Sequence, residues 1–484
     1  MSLAQDAGRL LDALTQPLRV QAAFMALFQF IENSPNGKFG WIPLGDDAVR
    51  GRDYAREVHL WRDRIRTNIG REEPFGASTH IAGLGSALEE IVKDGCIARQ
   101  NSKALVMALL VFDDAFQGVH PGEVVSATDA LGFVEMRTRI RKGEACFQLD
   151  GLRAYPKPRR LVHQEVRGQG RLTDLLVNIA VVQSGSDLEV VNLIAFDDGS
   201  FGPKGFTRIG IIPTIDSHEE LAWKKENHRR YSIAEELGTC TRVHARVRDA
   251  LALLIAEGAE LVLMPELVAS PALVRVVADA LATARHAGKC TPHLMLVGTQ
   301  LVNDGDKTRN RACVVDAEGE TVWEQDKLHA YRFSALDQAR CGHPMGADEL
   351  VDRTEAIDVE PRTLYVVDLS ATQRVTILTC EDFIQPDPHR SIVADIVATT
   401  ILVPIMSGHR NGPNVGWIQD AAVNYVRRPG ATCVIANSGA LLGTRREGWQ
   451  YGHVMAEPRV ACDWKSLPDE TTPIAWLADL GREV

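Results

Sequence analysis

The sequence predicts an α/β fold for the second half of the chain, because strand-like and helix-like segments alternate there. Apolar residues spaced four, four and three positions apart mark one helical face, formed by Val243, Val247, Leu251 and Leu254. Further helices are expected at 272–287 and 415–426. Runs of β-branched and aliphatic residues, which are typical of buried strands, occupy 208–213, 261–264, 293–298, 312–316, 364–369, 375–379, 400–404 and 432–436. This alternation favours α/β layers over a helical bundle or an all-β sandwich.

The first part of the chain has a different character. Helical periodicity is present at 18–31, 87–97 and 104–116. Residues 152–171 are basic and rich in Pro and Gly, which indicates a connector or an exposed β-rich edge. The segments 175–182 and 188–196 are strand-like and separated by Gln-Ser-Gly-Ser-Asp, a hairpin signal. The Gly-rich run 197–205 then predicts a domain junction near 204, with a mainly helical domain at 1–204 and an α/β domain at 205–484.

Composition narrows the class of protein. The chain has 484 residues, too many for one ordinary core, so two domains are expected. A hydrophobic content of 45% and a charged content of 24% are typical of folded soluble proteins. The formal net charge of -11 argues against a general nucleic-acid binder. No apolar run is long enough to span a bilayer and the start lacks a secretory signal, so a cytoplasmic location is expected.

The cysteines and histidines do not predict a metal site or a disulfide framework. The 9 cysteines are scattered singly, without a Cys-x-x-Cys pair. The 14 histidines form neither His-x-x-x-His nor His-Glu-x-x-His. We therefore assign no metal and expect reduced thiols.

Two reactive side chains follow predicted strand segments, and a third comes after a turn at 317–320. Glu266 comes after a strand in Met-Pro-Glu, Lys327 follows Trp-Glu-Gln-Asp, and Cys380 follows Arg-Val-Thr-Ile-Leu-Thr. Each has an ordinary explanation when taken alone: a surface acid or helix-cap residue, a solvated lysine, and a small buried hydrophobe. Together they are chemically sufficient for attack on an amide carbonyl, because a carboxylate can take the thiol proton and an ammonium can stabilise an oxyanion.

The order and spacing of these three residues resemble the nitrilase, or carbon-nitrogen hydrolase, superfamily over about 206–450. The stretches that carry the resemblance are RIGIIPTI, AELVLMPEL, NRACVVDAEGETVWEQDKLH, TTILVPIMSG and WIQDAAVNYVRRPGATCVIANSGA. The resemblance implies a four-layer α-β-β-α sandwich with a Cys-Glu-Lys triad at one end of the sheets. It also implies that no cofactor is required and that the chain forms homo-oligomers. The first 200 residues resemble no family that we can name.

The resemblance also implies roles for individual residues. Glu266 would be the general base, Lys327 the oxyanion stabiliser and Cys380 the nucleophile, with the backbone N–H of Glu381 as a second oxyanion donor. Many members place a second glutamate between the lysine and the cysteine. The candidates are Glu349, Glu355 and Glu360, of which we favour Glu355. The segment 334–352 is longer than the usual connection and could be a substrate-covering loop or a structural insertion.

The residues after the nucleophile favour an amide as substrate. True nitrilases usually carry Cys-Trp-Glu, whereas Cys-Glu-Asp here looks more like the amidase branches, including the glutamine-hydrolysing domain of NAD synthetases. The absence of Ser-Gly-Gly-x-Asp-Ser excludes a complete synthetase. The expected partner is a small-molecule amide, cleaved through a cysteine thioester, with the first domain as a regulatory or oligomerisation module. The alternatives are an acyltransferase of the same family and a catalytically weak binding or assembly scaffold.

Overall fold

The computed structural model describes two compact units. The described residues are 3–15, 20–34, 52–67, 78–116, 140–142, 147–149, 152–157, 176, 178–183, 188–195, 205–215, 220, 223–227, 229–233, 241–335, 338, 351–370, 372–385, 392–393, 395–407, 416–427, 431–439, 452–456, 462–467 and 474–480. The first unit combines Met1–Glu135, Lys142–Gly185 and Asp395–Val397. The second combines Met136–Arg141, Ser186–Ala394 and Ala398–Val484.

The helices and strands are numbered in chain order. The α-helices are α1 (Leu3–Thr15), α2 (Val20–Asn33), α3 (Arg52–Arg66), α4 (Leu84–Asp94), α5 (Arg99–Ala115), α6 (Thr241–Ala256), α7 (Pro271–His286), α8 (Glu381–Ile384) and α9 (Gly416–Arg427), with a 3₁₀ helix at Ser78–Gly83. The strands are β1 (Ile140–Lys142), β2 (Phe147–Leu149), β3 (Leu152–Pro156), β4 (Ile179–Gln183), β5 (Glu189–Ala195), β6 (Arg208–Ile211), β7 (Trp223–Asn227), β8 (Arg230–Ile233), β9 (Leu261–Leu263), β10 (Leu294–Asp304), β11 (Lys307–Asp316), β12 (Thr321–Asp326), β13 (Arg332–Phe333), β14 (Arg353–Glu355), β15 (Thr363–Asp368), β16 (Arg374–Ile377), β17 (Thr400–Ile405), β18 (Thr432–Asn437), β19 (Gly452–Met455), β20 (Cys462–Leu467) and β21 (Ala475–Leu480). In the part of the chain that the structure covers, no helix combines the length and the apolar character that crossing a bilayer requires.

The first unit packs its helices around an apolar core. The predicted helical segments correspond to α2, α4 and α5. Phe24 of α2 lies at the centre of this core, with its ring centroid 6.5 Å from that of Phe112 and 6.1 Å from that of Phe116. Strands β2, β3 and β4 form a three-stranded sheet in the same unit. Of the basic segment 152–171, residues 158–171 lie outside the described residues.

The predicted hairpin of 175–182 and 188–196 is wrong. β4 pairs antiparallel with β3, whereas β5 pairs in parallel with β15, from Thr363↔Glu189 to Asp368↔Ile194. Two adjacent strand-like runs satisfy the hairpin pattern locally, but β4 pairs with the strand before it and β5 pairs with a strand far along the chain. The long segments Lys142–Gly185 of the first unit and Ser186–Ala394 of the second meet between residues 185 and 186. The junction predicted from the sequence lies further along the chain, near 204.

Two seven-stranded sheets form most of the second unit. Sheet A has the order β12-β11-β10-β9-β6-β21-β20, and sheet B has the order β1-β5-β15-β16-β17-β18-β19. Every strand predicted between 208 and 436 is present, and β10 and β11 are longer than predicted. The central strands of both sheets run parallel to a neighbour, as β9 does to β6 and β10, and β17 does to β16 and β18.

The two faces of sheet A are both buried, which explains the continuous apolar runs in its strands. Leu261 and Leu263 of β9 belong to a core shared with residues of sheet B such as Ile377 and Leu402. Val262, between them, belongs to a second core that includes the apolar faces of α6 and α7. Successive residues of a strand point to opposite faces, so this alternation places sheet B on one side of sheet A and two helices on the other.

A smaller four-stranded sheet, sheet C, has the order β13-β14-β8-β7. β14 pairs in parallel with β8, through Thr354↔Arg230 and Glu355↔Tyr231. Partners in register lie on the same face, so sheet C presents the side chains of Glu355 and Tyr231 together. This sheet is not predicted from the sequence, because its strands are short and mostly polar.

Candidate active site

Glu266 lies two residues beyond the strand-like run that ends at Met264, and its backbone is tightly held. Gly298 has φ +91°, and a Cβ at that position would lie 2.3 Å from the carbonyl oxygen of Pro265. The Thr299 hydroxyl accepts a hydrogen bond from the Leu267 N–H at 2.9 Å. The Glu266 side chain is buried, with 2% of the residue exposed. The Met-Pro-Glu motif therefore delivers a carboxylate into the interior rather than to the surface.

Lys327 directly follows β12, and its ammonium contacts the Glu266 carboxylate. Its Nζ lies 2.7 Å from Oε1 of Glu266 and 2.7 Å from Oε2 of Glu355. Only 3% of the residue is exposed. A lysine buried to this degree must be paired, and here it bridges two carboxylates.

Glu355 reaches the cluster from β14 of sheet C. Its Oε2 accepts a hydrogen bond from the Tyr331 N–H at 3.1 Å, and its own N–H donates to the Tyr331 carbonyl at 2.9 Å. Of the three glutamates considered in the sequence, Glu360 lies elsewhere, with an exposed carboxylate beside Arg362. Glu349 lies outside the described residues.

Asn310 is a member of the cluster that the sequence reasoning missed. Its Nδ2 lies 3.0 Å from Oε1 of Glu266 and 2.8 Å from Oε1 of Glu355. Its backbone carbonyl accepts the Lys327 N–H at 2.8 Å. It stands at the start of the NRACVVDAEGETVWEQDKLH stretch, but a lone asparagine in a strand carries no signal of its own.

Cys380 lies at the sharp turn between the β16 run and α8. Its backbone has φ +47°, a region that residues other than glycine rarely adopt. The Cys380 N–H donates to the carbonyl of Pro404 at 3.0 Å, which fixes the turn against the end of β17. The Glu266 carboxylate and the Met406 backbone both lie near enough to the Cys380 thiol to affect its ionisation. The structure thus brings the thiol, the acid and the amine together.

Asp382 joins the turn at Cys380 to the segment that carries Lys327. Its buried carboxylate accepts the Leu328 N–H at 3.0 Å and the Thr379 N–H at 3.3 Å. The Nδ1 of His329 lies 3.0 Å from its Oδ1. These bonds hold two segments distant in sequence at a constant separation. The Asp382 position is part of the Cys-Glu-Asp motif, but sequence reasoning assigned it no role.

Glu381 is the first residue of α8, immediately after Cys380. Its carboxylate accepts a hydrogen bond from the side chain of Gln385. The carboxylate therefore interacts along α8, and the backbone N–H is the group that concerns the chemistry. The role of that N–H as an oxyanion donor stays a prediction.

The electrostatics of the cluster favour a resting thiol beside a protonated lysine. Burial, together with the nearby charge of Glu266, raises the pKa of the Cys380 thiol well above 9.0. Burial alone would lower the pKa of Lys327, but the charges of Glu266 and Glu355 outweigh it and hold that pKa well above 10.5. Burial raises the pKa of Glu266 above its usual 4.5, although Lys327 opposes the shift.

Tyr231 also faces the cluster, from β8. Burial, and then the charge of Glu355, raises the pKa of its phenol well above 10.0, so the group stays neutral. Among the described residues, no group of three His, Cys, Asp or Glu side chains is arranged to hold a metal ion.

Comparison with known proteins returns solved structures only. No protein-family model matches the sequence, and no curated protein matches it. An amidase from Nesterenkonia sp. aligns at 18% identity and a TM-score of 0.33, over 57% of this chain and 90% of its own. A double mutant of the amidase from Nesterenkonia sp. AN1 in complex with acrylamide aligns at 16% identity and a TM-score of 0.35, over 57% and 91%. A further mutant of that amidase, described as from the nitrilase superfamily, aligns at 16% identity and a TM-score of 0.33, over 57% and 90%. Over 57% of its length, the chain is therefore similar to solved nitrilase-superfamily amidases.

Proposed function

We propose that the second unit is a carbon-nitrogen hydrolase that cleaves a small, non-peptide amide through a cysteine thioester. The observation that carries this proposal is the convergence of a thiol, a carboxylate and an ammonium in one buried cluster, at Cys380, Glu266 and Lys327. A purely structural core has no use for two buried acids and a lysine around a cysteine, since each charge costs free energy to desolvate. Clusters of buried groups with shifted pKa values are typical of catalytic sites.

The chemistry follows from the positions of these groups. Glu266 takes the thiol proton as the sulfur attacks the amide carbon, and the carbonyl π-electrons move to the oxygen. Lys327, with the Glu381 N–H as a second donor, stabilises that oxyanion. When the tetrahedral intermediate collapses, the C–N bond breaks, and Glu266 returns the proton to the leaving ammonia or amine. A water molecule deprotonated by Glu266 then attacks the thioester, releasing the carboxylic acid and the thiol.

The resting thiol makes the base essential in this scheme. Because the pKa of Cys380 is raised well above 9.0, the free thiolate is scarce at neutral pH. Proton transfer to Glu266 must therefore accompany the attack. Glu355 touches Lys327 rather than the thiol, which fits a role in holding the lysine.

The two sheets that share an apolar core, with α6 and α7 on the outer face of sheet A, support the four-layer α-β-β-α sandwich that the resemblance implies. We assign the first unit a regulatory or oligomerisation role, and we expect the protein to act as a homo-oligomer in the cytoplasm. Native mass spectrometry of the purified chain tests the oligomeric state.

The experiment that tests the activity is ammonia release from a panel of small aliphatic and aromatic primary amides. Wild-type protein should release ammonia from at least one amide, and Cys380→Ala should lower that rate by about a thousandfold or more. Cys433→Ala is the matched control, because Cys433 is also fully buried and lies in β18 of sheet B, yet belongs to no contact of the cluster.

Intact mass spectrometry during turnover identifies the intermediate. An acyl group of the substrate's mass on wild type and on Cys433→Ala, but not on Cys380→Ala, is the expected result. Amide binding that is equal in wild type and Cys380→Ala, without turnover of any amide, would instead establish a binding scaffold. Transfer of the acyl group to an added amine in preference to water would establish an acyltransferase.

A further inference from the structure

Asn310 contacts all three charged residues of the cluster, the two glutamates through its side chain and Lys327 through its backbone carbonyl. Its amide nitrogen bonds to Oε1 of Glu266 at 3.0 Å and to Oε1 of Glu355 at 2.8 Å. Its carbonyl receives the backbone N–H of Lys327 at 2.8 Å. Only 1% of the residue is exposed. Among the described residues, only Asn310 and Lys327 donate side-chain hydrogen bonds to both glutamates.

The orientation of the amide is determined by its neighbours. An NH₂ group carries two donors, and each carboxylate takes one of them. The reversed amide would direct its carbonyl oxygen at two carboxylates, so only the observed orientation is favourable. The Oδ1 of Asn310 is buried and finds no hydrogen-bond partner among the described residues. The side chain therefore hydrogen-bonds to the cluster through its two N–H groups, while its acceptor oxygen remains unsatisfied among the described residues.

The cluster contains more acidic than basic side chains. Two carboxylates face one ammonium, and two acids that share a buried site tend to retain a proton between them. The other titratable groups facing them, Cys380, Tyr231 and Tyr331, carry no positive charge. A neutral double donor lowers the cost of the second negative charge without itself adding a charge. Both Lys327 and Asn310 engage Oε1 of Glu266, so neither of them occupies Oε2.

We propose that Asn310 is a positioning residue that favours the ionised form of the Glu266 carboxylate and orients it to take the thiol proton. This inference rests on the proposed hydrolase activity, and it explains why a strand residue of sheet A has a buried oxygen without a hydrogen-bond partner among the described residues. A proton retained on Glu266 would remove the base, because a protonated Glu266 cannot accept the hydrogen of Cys380.

The test compares pH profiles of wild type, Asn310→Leu and Asn310→Asp. Asn310→Leu keeps the size but removes both donors, and Asn310→Asp keeps the shape but replaces the donors by a third acid. In both variants kcat should fall about tenfold or more, and the acid limb of kcat/KM should move up by about one pH unit or more. Asn192→Leu is the matched control, since Asn192 is also a buried strand asparagine whose Oδ1 lacks a described partner. Its acid limb should coincide with that of wild type.

A second measurement separates this inference from the proposed function. Alkylation by iodoacetamide, followed across the same pH range by the mass of the peptide that contains Cys380, reports activation of this thiol without amide turnover. The same upward shift in Asn310→Leu is expected.

If wild type hydrolyses amides but both Asn310 variants keep the wild-type acid limb and alkylation profile, Asn310 is only structural and the inference is overturned. If wild type turns over no amide, the hydrolase proposal fails, while the alkylation profiles still decide the role of Asn310. If Asn310→Leu does not fold, the isosteric Asn310→Asp decides the outcome.

Discussion

At the scale of single residues, Lys327 determines how much charge the interior of the second unit can hold. Its ammonium lies 2.7 Å from one oxygen of Glu266 and of Glu355, and all three side chains are almost fully buried. A pair of this kind contributes little net stability compared with apolar residues, but the loss of one partner leaves a buried charge uncompensated. Because the pKa of Lys327 is raised, its contribution is complete below pH 10.5 and is lost only as the pH rises through the higher value of the folded state.

Lys327→Met should therefore destabilise the second unit by about 3 to 5 kcal/mol near neutral pH. The destabilisation should shrink at acid pH, because Glu266, whose pKa is raised by burial, becomes neutral by protonation. Urea unfolding at several pH values measures it. Lys465→Met is the control: its Nζ is also 2.7 Å from a carboxylate, that of Glu257, but the pair is exposed and should contribute less than about 1 kcal/mol. Equal losses in the two variants would contradict this account of burial.

At the scale of elements, the site depends on turns that follow strands rather than on the strands themselves. Gly298 within β10 lets the chain at Pro265 pass close enough for Glu266 to turn inward. Asp382 ties the turn after β16 to the segment after β12. Sheet C supplies Glu355 through a parallel pairing of β14 with β8. Each of these contacts joins segments that are distant in sequence.

Gly298→Ala should cost about 2 to 4 kcal/mol of stability and most of the amide-hydrolysing activity. The positive φ of +91° accounts for about 1 kcal/mol, and the 2.3 Å approach of the new Cβ to the Pro265 oxygen accounts for the rest. Gly288→Ala is the matched control, because Gly288 has φ +72° but nothing within 4 Å of an added Cβ. Gly288→Ala should lose only the stability that the positive φ costs and should keep full activity. Thermal unfolding and ammonia release measure both effects, and equal losses in the two variants would disprove the steric explanation.

The sequence predicts these elements unevenly, for physical reasons. Buried strands such as β9 and β17 are recognisable because both of their faces need apolar side chains. Glu266, Lys327, Cys380 and Glu355 could be selected by their order along the chain. Asn310 and Asp382 could not, since their importance lies in which backbone and carboxylate groups they meet across the fold. The pairing of β5 with β15 was missed because hairpin signals are local and this contact is not.

At the scale of the whole molecule, the chain consists of two compact units, each with a buried apolar core of its own. The first core is built mainly from helices and contains Phe24 and Phe112, whereas the second contains the residues shared by sheets A and B. Units with separate cores generally unfold as separate cooperative transitions. Mutations in one core should then affect one transition.

Scanning calorimetry should accordingly resolve two transitions in the wild-type protein. Lys327→Met should lower the Tm of one transition by about 10 °C and leave the other unchanged. Phe112→Ala, in the first core, is the complementary variant and should lower the other transition alone. A single transition that moves as a whole in both variants would show that the two units unfold as one.

The backbone of Cys380, at φ +47°, has a consequence for the evolution of this protein. Glycine would occupy this turn with less conformational strain, so selection for folding stability alone would tend to replace the cysteine. A chain that keeps a cysteine there has lower folding stability but retains a reactive thiol. Descendants that lose the chemistry would be free to drift toward glycine at this position and to become harder to denature as they do so.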